Sequence, residues 1–173
     1  FDASIMADCI LRVLEINDHL SQESRIRVIS ISKGYRNVDP GYAALQNAIR
    51  QAAEQGVFVV TPASTAAYPA FALAGLSRNY FDDPDDPASY RPVPWDLTGD
   101  YSSPNIVCVP MGSRAYASCT GPRNYEISYQ GGMSWAVPWM AGFYALCCQA
   151  KPNLTSAEFI EAVTGTTRTY APP

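Results

Sequence analysis

A serine that follows two glycines and opens an apolar stretch is the clearest candidate for chemistry in this sequence. Residues 131 to 138 read Gly-Gly-Met-Ser-Trp-Ala-Val-Pro, with the serine at Ser134. Glycines allow a sharp turn and a close approach of substrate to the backbone. If a helix begins here, its free N–H groups and its positive dipole end lie beside the hydroxyl and can stabilise an oxyanion. The pattern predicts a nucleophilic serine, although it also fits a plain helix N-cap.

Two known arrangements of a nucleophilic serine differ in the sequence position of the histidine. Gly132 to Ala136 is close to the G-x-S-x-G turn of α/β-hydrolases, which requires a histidine downstream of the serine. The single histidine, His19, lies upstream, so we exclude that arrangement. The other order, Asp then His then Ser, places both partners before the serine. His19 and its neighbour Asp18 precede the first predicted strand, away from the carboxyl ends where catalytic groups gather, so we expect a surface or capping role for both.

Alternating helix and strand patterns predict the scaffold that positions Ser134. Apolar residues at helical spacing, β-branched runs and capping residues mark the elements. They are helices over Ala3–Ile16, Tyr42–Gln55, Ser134–Gln149 and Ser156–Val163, strands over Arg25–Ser32, Val57–Val60 and Asn105–Val109, and a short edge strand over Tyr125–Tyr129. Thr61–Pro104, with seven prolines, is predicted to be irregular. This order predicts an α/β fold with a parallel, largely buried sheet and helices on both faces.

The run around Ser134 resembles the nucleophile motif of the subtilisin-like serine proteases (subtilases, peptidase S8 family). That family carries Gly-Thr-Ser-Met-Ala-x-Pro-His, and Gly132, Ser134, Ala136 and Pro138 fall in register with it. Three further segments resemble family segments in the family's order. They are a strand at Val28–Gly34, a helix and strand at Ala44–Val60, and a turn at Lys151–Thr155. The resemblance implies that residues 1–173 are the C-terminal part of one subtilisin-like catalytic domain, whose N-terminal part is absent from this chain and carries the Asp and the His.

The resemblance further implies a serine endopeptidase that forms an acyl-enzyme on Ser134. The Asp and the His would come from an upstream segment, so we expect this chain alone to be inactive. Ser32, Lys33, Gly34 and Gly132 would bind an extended peptide or protein substrate. A cationic Lys33 would favour acidic substrate residues, and a solvated edge lysine is the alternative interpretation.

One departure from the family concerns the oxyanion hole. The family's Ala-Gly-Asn-Glu run supplies an asparagine, whereas Thr61 to Thr65 contains none. By position Thr65 falls where that asparagine would be, and Ser64 is adjacent, so these two hydroxyls are the candidate donors. Losing one such donor costs about 3–4 kcal/mol of transition-state stabilisation, a magnitude measured in subtilisin itself. A second hypothesis is therefore a catalytically inactive subtilase-like domain that binds or scaffolds.

Composition excludes several other classes of function. The 173 residues are 47% hydrophobic and 16% charged, which is typical of a globular domain. There is no basic patch, so we expect no nucleic acid partner. The longest apolar stretch, Trp135–Cys148, contains a proline and is too short for a membrane span. The five cysteines are expected to be buried thiols, because their number is odd and no spacing suggests a metal site, which weakly favours a cytoplasmic location.

Cofactors are not indicated by the sequence. Four aspartates lie between Asp82 and Asp86, and grouped carboxylates can bind Ca²⁺. EF-hand spacing is absent, so we expect a solvated acidic loop and leave Ca²⁺ open as the alternative. The sequence also lacks the glycine-rich motifs of nucleotide-binding domains.

Overall fold

The chain folds into an α/β arrangement of parallel strand pairs and helices. A computed structural model describes residues 1–63, 65–92 and 105–166. The four α-helices are α1 (Ser4–Asp18), α2 (Tyr42–Glu54), α3 (Met133–Ala150) and α4 (Ser156–Thr166). The strands are β1 (Val28–Ser30), β2 (Phe58–Val60), β3 (Ala72–Ser77), β4 (Arg91–Pro92), β5 (Ile106–Pro110), β6 (Arg114–Ala117) and β7 (Tyr125–Ser128).

The parallel strands form two pairings that are not hydrogen-bonded to each other. β1 pairs with β2, with Val28 opposite Phe58, and β3 pairs with β5, with Ala72 opposite Ile106. β4 adds an antiparallel edge to β3, and β6 and β7 form a separate antiparallel ribbon. Every residue of β2 is buried, as expected of a parallel strand that is covered on both faces. The predicted α/β class with a parallel sheet is confirmed.

Phe58 on β2 is the centre of an aromatic cluster that joins the sheet to the helices. Its ring lies 5.1 Å from the Tyr68 and Tyr144 rings and 5.8 Å from the Phe71 and Phe159 rings, centroid to centroid. Most of these pairs are edge-to-face, the geometry that aromatic quadrupoles prefer. Because Tyr144 belongs to α3 and Phe159 to α4, the cluster fixes both helices against β2.

The prediction of an irregular stretch over Thr61–Pro104 is wrong for its middle, where β3 and β4 form. The β3 sequence Ala-Leu-Ala-Gly-Leu-Ser has no β-branched residue, so no strand pattern marks it. Gly75 explains the small side chains: a Cβ added there would lie 1.9 Å from the Met111 sulfur. Close packing against Met111 therefore accounts for the glycine in the middle of this strand. Strand β6 was also missed, and β1 is shorter than the predicted Arg25–Ser32.

The expectation of buried thiols is wrong for two of the five cysteines. Cys9 and Cys119 are exposed, whereas Cys108, Cys147 and Cys148 are half-buried. None of the five, all of which lie in the described ranges, forms a disulfide. Among the residues that the structure describes, no helix combines the length and the hydropathy needed to cross a bilayer.

Candidate active site

Ser134 lies in the first turn of α3 and is exposed. The helix begins directly after Gly131 and Gly132, which have φ values of +67° and +154° that L side chains rarely adopt. A Cβ at Gly131 would also lie 1.9 Å from the Met111 carbonyl oxygen, at the end of β5. The glycine pair thus lets the chain turn tightly against β5 and present the serine at the helix N-terminus.

Ser134 and Ser32 are hydrogen-bonded to each other in both directions. The Ser32 hydroxyl donates to the Ser134 carbonyl oxygen at 3.1 Å, and the Ser134 hydroxyl donates to the Ser32 carbonyl oxygen at 3.4 Å. Ser32 lies two residues beyond the end of β1. The structure therefore brings together two of the residues that the sequence predicted for the site, across 102 positions of chain.

Lys33 and Gly34 line an open groove of about 510 Å³ at the carboxyl ends of β1 and β2. The other lining residues come from the N-terminus, from the segment after Gly34 and from the segment after β2. They are Phe1, Tyr35, Arg36, Asp39, Pro62 and Ala63. The groove is open to solvent. Its lining combines apolar and aromatic residues with a few charged side chains, as is common in binding sites.

The charges of the groove do not cancel. Arg36 donates its backbone N–H to Asp39 at 2.7 Å, and its guanidinium lies 3.5 Å from the same carboxylate. The backbone hydrogen bond is the main reason that the pKa of Asp39 is lowered, and the Arg36 charge adds to it. Lys33 has no carboxylate partner among the described residues, and its Nζ lies 5.0 Å from the centre of the Phe1 ring. One unneutralised cation therefore remains in the groove.

Trp135 and Tyr116 form an aromatic pair next to the nucleophile that sequence analysis missed. Their ring centroids are 5.9 Å apart at 71°. The Tyr116 hydroxyl donates to Glu126 at 2.8 Å, and this bond raises the pKa of Tyr116. Bonds from Ser118 and Tyr116 lower the pKa of Glu126. Trp135 could have been noted beside Ser134, but no local signal shows that the β6–β7 ribbon brings Tyr116 against it.

The structure describes only one of the two candidate oxyanion donors. Ser64 lies outside the described residues. Thr65 is only 8% exposed, and its hydroxyl has no hydrogen-bond partner in the described part of the chain. It lines a small cavity with Thr61, from the end of β2, and Leu73, from β3. A donor to a substrate oxyanion must reach the open cleft, so both assignments stay predictions.

His19 lies directly after α1, as its C-terminal cap, and precedes β1 by nine residues. Ser134 instead contacts Ser32, which follows β1, so the histidine and the serine lie toward opposite ends of that strand. The described residues contain no group of three or more His, Cys, Asp or Glu that could hold a metal ion.

Arg78 donates hydrogen bonds to the backbone of the acidic loop after β3. Its Nη1 donates to the carbonyl oxygens of Asn79, Tyr80 and Asp82, at 3.0, 3.1 and 2.8 Å. Carbonyl oxygens that a Ca²⁺ ion could use are therefore bonded to a guanidinium. Ca²⁺ binding by this loop stays an untested alternative.

Comparison with solved structures identifies the fold. The described geometry matches Sphericase with a TM-score of 0.61 over 92% of this chain, at 19% sequence identity. It also matches the structure titled self-cleaved protease domain of PatA, with a TM-score of 0.55 over 87% of this chain, at 21% identity. The chain has a subtilisin-like fold.

The subtilisin-like fold of this chain accounts for about half of each solved structure. The match covers 54% of the Sphericase chain and 53% of the PatA protease chain. No family model matches the sequence, and no curated protein matches it. The similarity therefore rests on three-dimensional structure, and at these identities it establishes the fold alone.

Proposed function

We propose that this chain supplies the nucleophile of a serine endopeptidase, which cleaves peptide bonds through an acyl-enzyme on Ser134. The observation that carries the proposal is the exposed Ser134 in the first turn of α3. It is hydrogen-bonded to Ser32, which lies 102 positions away in the sequence. Lys33 and Gly34, which follow Ser32 directly, line an open groove. A nucleophile, a strand end for substrate pairing and a groove thus meet at one edge of the sheet.

The chemistry follows from this placement. The Ser134 Oγ attacks the scissile carbonyl carbon while a histidine outside this chain takes the hydroxyl proton. The carbonyl oxygen becomes an oxyanion, which the Ser134 backbone N–H and a hydroxyl of Ser64 or Thr65 would stabilise. As the C–N bond breaks, the histidine returns the proton to the leaving amine. Water then hydrolyses the ester and regenerates the serine.

The exposed face of α3 supports the idea that a further polypeptide segment packs against this helix. Trp139, Phe143 and Leu146 lie on this helix with 37%, 38% and 62% of their surface exposed. Such a stripe of large apolar side chains is unusual on the surface of a complete domain. A further polypeptide segment that carries the histidine and the aspartate would cover this stripe as well as reach Ser134, because about half of each solved structure lies outside the match.

The unneutralised charge of Lys33 supports a preference for acidic substrate side chains. The groove holds two cations and one carboxylate, Lys33, Arg36 and Asp39, and the last two are paired. A substrate carboxylate would gain an attractive interaction there that a basic side chain would not.

The position of Thr65 favours a second candidate function. Its hydroxyl is buried, and if Ser64 does not replace it the chain would lack a second oxyanion donor. A domain with this defect could bind extended peptides in the groove without cleaving them. Such a binding module would keep the Lys33 groove and would lack a reactive Ser134.

Fluorophosphonate labelling of the longest natural polypeptide that contains this chain tests the proposal. We expect one label, mapped to Ser134 by mass spectrometry, and no label in Ser134→Ala. Replacing a nucleophilic serine lowers kcat by roughly a millionfold, so peptidase activity should disappear with it. The matched control is Ser21→Ala, which removes an exposed serine far along the chain and should label normally. A folded, unlabelled wild type would instead favour the binding module.

A further inference from the structure

The carbonyl group of Ser134 lacks its normal partner within α3. In an α-helix the C=O of residue i accepts the N–H of residue i+4. For Ser134 that residue is Pro138, which lies inside the helix and has no N–H. The proline therefore leaves the nucleophile's own carbonyl oxygen without its i+4 donor, one turn into the helix.

Ser32 supplies a donor from outside the helix. Its hydroxyl reaches the Ser134 carbonyl oxygen at 3.1 Å. Ser32 is itself held close to the sheet, because the Ile31 N–H donates to the Val60 carbonyl oxygen at 2.9 Å and extends the β1–β2 ladder by one residue. A single side chain thus ties the backbone of Ser134 to the two central parallel strands.

We propose that Ser32 is a positioning residue for the nucleophile. Pro138 removes the N–H donor that would bond the Ser134 carbonyl oxygen, and the Ser32 hydroxyl replaces that donor. This inference rests on the proposed function of Ser134. The pair fixes Ser134 through its main chain, so the Oγ stays free to rotate toward a substrate. The Ser134 hydroxyl donates to the Ser32 carbonyl at 3.4 Å, near the upper limit for a hydrogen bond, and this contact is given up at little cost when a base takes the proton.

The same residue also lies next to the groove. Ser32 immediately precedes Lys33 and Gly34, which line it. A peptide that pairs with this strand end would therefore contact the residues next to Ser32, which positions the nucleophile. Substrate binding and nucleophile position are linked through one side chain rather than through a chain of contacts.

A thermal unfolding cycle tests the link without requiring activity. The four proteins are the wild type, Ser32→Ala, Pro138→Ala and the double variant, each in the longest natural polypeptide. We expect Ser32→Ala to lower Tm by about 2–4 °C when Pro138 is present. With alanine at position 138 a helical N–H becomes available to Ser134, so Ser32→Ala should then lower Tm by less than about 1 °C. Equal shifts in the two backgrounds would overturn the link.

Kinetics separate positioning from simple stability. Ser32→Ala should lower the rate of Ser134 labelling and kcat about tenfold and change KM much less, because a misplaced nucleophile affects chiefly the chemical step. Ser32→Thr, which keeps the hydroxyl, and the double variant with Pro138→Ala should recover most of the rate. If Ser32→Ala labels as fast as the wild type, Ser32 does not position the nucleophile. If the wild type itself does not label, the proposed function fails, and with it any role in positioning a nucleophile.

Discussion

The two ends of strand β1 differ in how their polar groups are satisfied. At the amino end the buried Asn17 side chain bonds both polar groups of the Ile26 backbone, at 2.8 and 2.7 Å. Arg27 also donates two hydrogen bonds there, to the Pro152 and Leu154 carbonyl oxygens. At the carboxyl end Ser32, Lys33 and Gly34 are exposed, and the Ser134 hydroxyl makes only a 3.4 Å bond.

This difference separates the part of the molecule that maintains the fold from the part that is free to bind. Polar groups that are fully paired within the protein contribute to stability and have no capacity left for a ligand. Exposed groups with long or single contacts can exchange them for a substrate at small cost. The amino end also has a groove, of about 520 Å³, but its lining includes Arg27 and Pro152, which are already bonded to each other. We therefore expect substitutions at the amino end to change stability alone, and those at the carboxyl end to change binding and rate as well.

Asn17→Ala should have the largest effect on stability. It leaves the Ile26 N–H and carbonyl oxygen without partners beneath α1, which costs about 2–4 kcal/mol of unfolding free energy. For a chain of this size, that lowers Tm by roughly 5 °C or more, measured by circular dichroism. Asn47→Ala is the matched control, because Asn47 is exposed on α2 and accepts one bond from Arg50. A loss of Ser134 labelling in the fraction of Asn17→Ala that remains folded would contradict the separation of the two ends.

The sequence predicted the carboxyl end better than it predicted the middle of the chain. Ser134, Ser32 and the strand β2 were all marked by local patterns: a glycine pair, a β-branched run and an unbroken apolar run. Strand β3 was not, because it has no β-branched residue and its Gly75 packs against Met111, 36 positions away. The Asn17–Ile26 hydrogen bonds were also missed, because they too depend on a contact between residues that are not adjacent in the sequence. A buried asparagine near the end of a helix has no sequence signature that distinguishes it from a solvated one.

Lys33→Glu should have an intermediate effect, on substrate choice rather than on stability. Reversing the unneutralised charge of the groove should change the ratio of affinities for acidic and basic peptides by about tenfold or more. The measurement is calorimetric binding of two peptides, identical except for one Glu or Lys, to the Ser134→Ala protein, so that no cleavage occurs. Arg25→Glu is the control, since it makes the same change of charge at an exposed position near the amino end of β1.

An unchanged ratio in Lys33→Glu would show that Lys33 is a solvated edge lysine. An equal change in Arg25→Glu would show that the overall charge of the protein, and not the groove, sets the preference. Raising the salt concentration should reduce the difference between the two peptides, because Lys33 is exposed and its charge is screened by salt.

Glu158→Gln should have the smallest effect on stability, and its cause can be recognised from how the Tm difference depends on pH. Glu158 accepts bonds from Lys151 at 2.7 Å and from the Thr155 N–H at 2.9 Å, which clamp the turn that Arg27 also binds. Lys151, followed by Thr155, lowers the pKa of Glu158 from 4.5 to about 2. Because the pKa is lower in the folded state, the stabilisation is present above about pH 4.5 and is lost as the pH falls toward 2. The wild type should therefore have a slightly higher Tm than Glu158→Gln at pH 7, and the two should converge at pH 2.

Glu161→Gln, on the same helix, is the control and should show no such convergence. A Tm difference for Glu158→Gln that persists unchanged at pH 2 would mean that the carboxylate charge does not hold this turn.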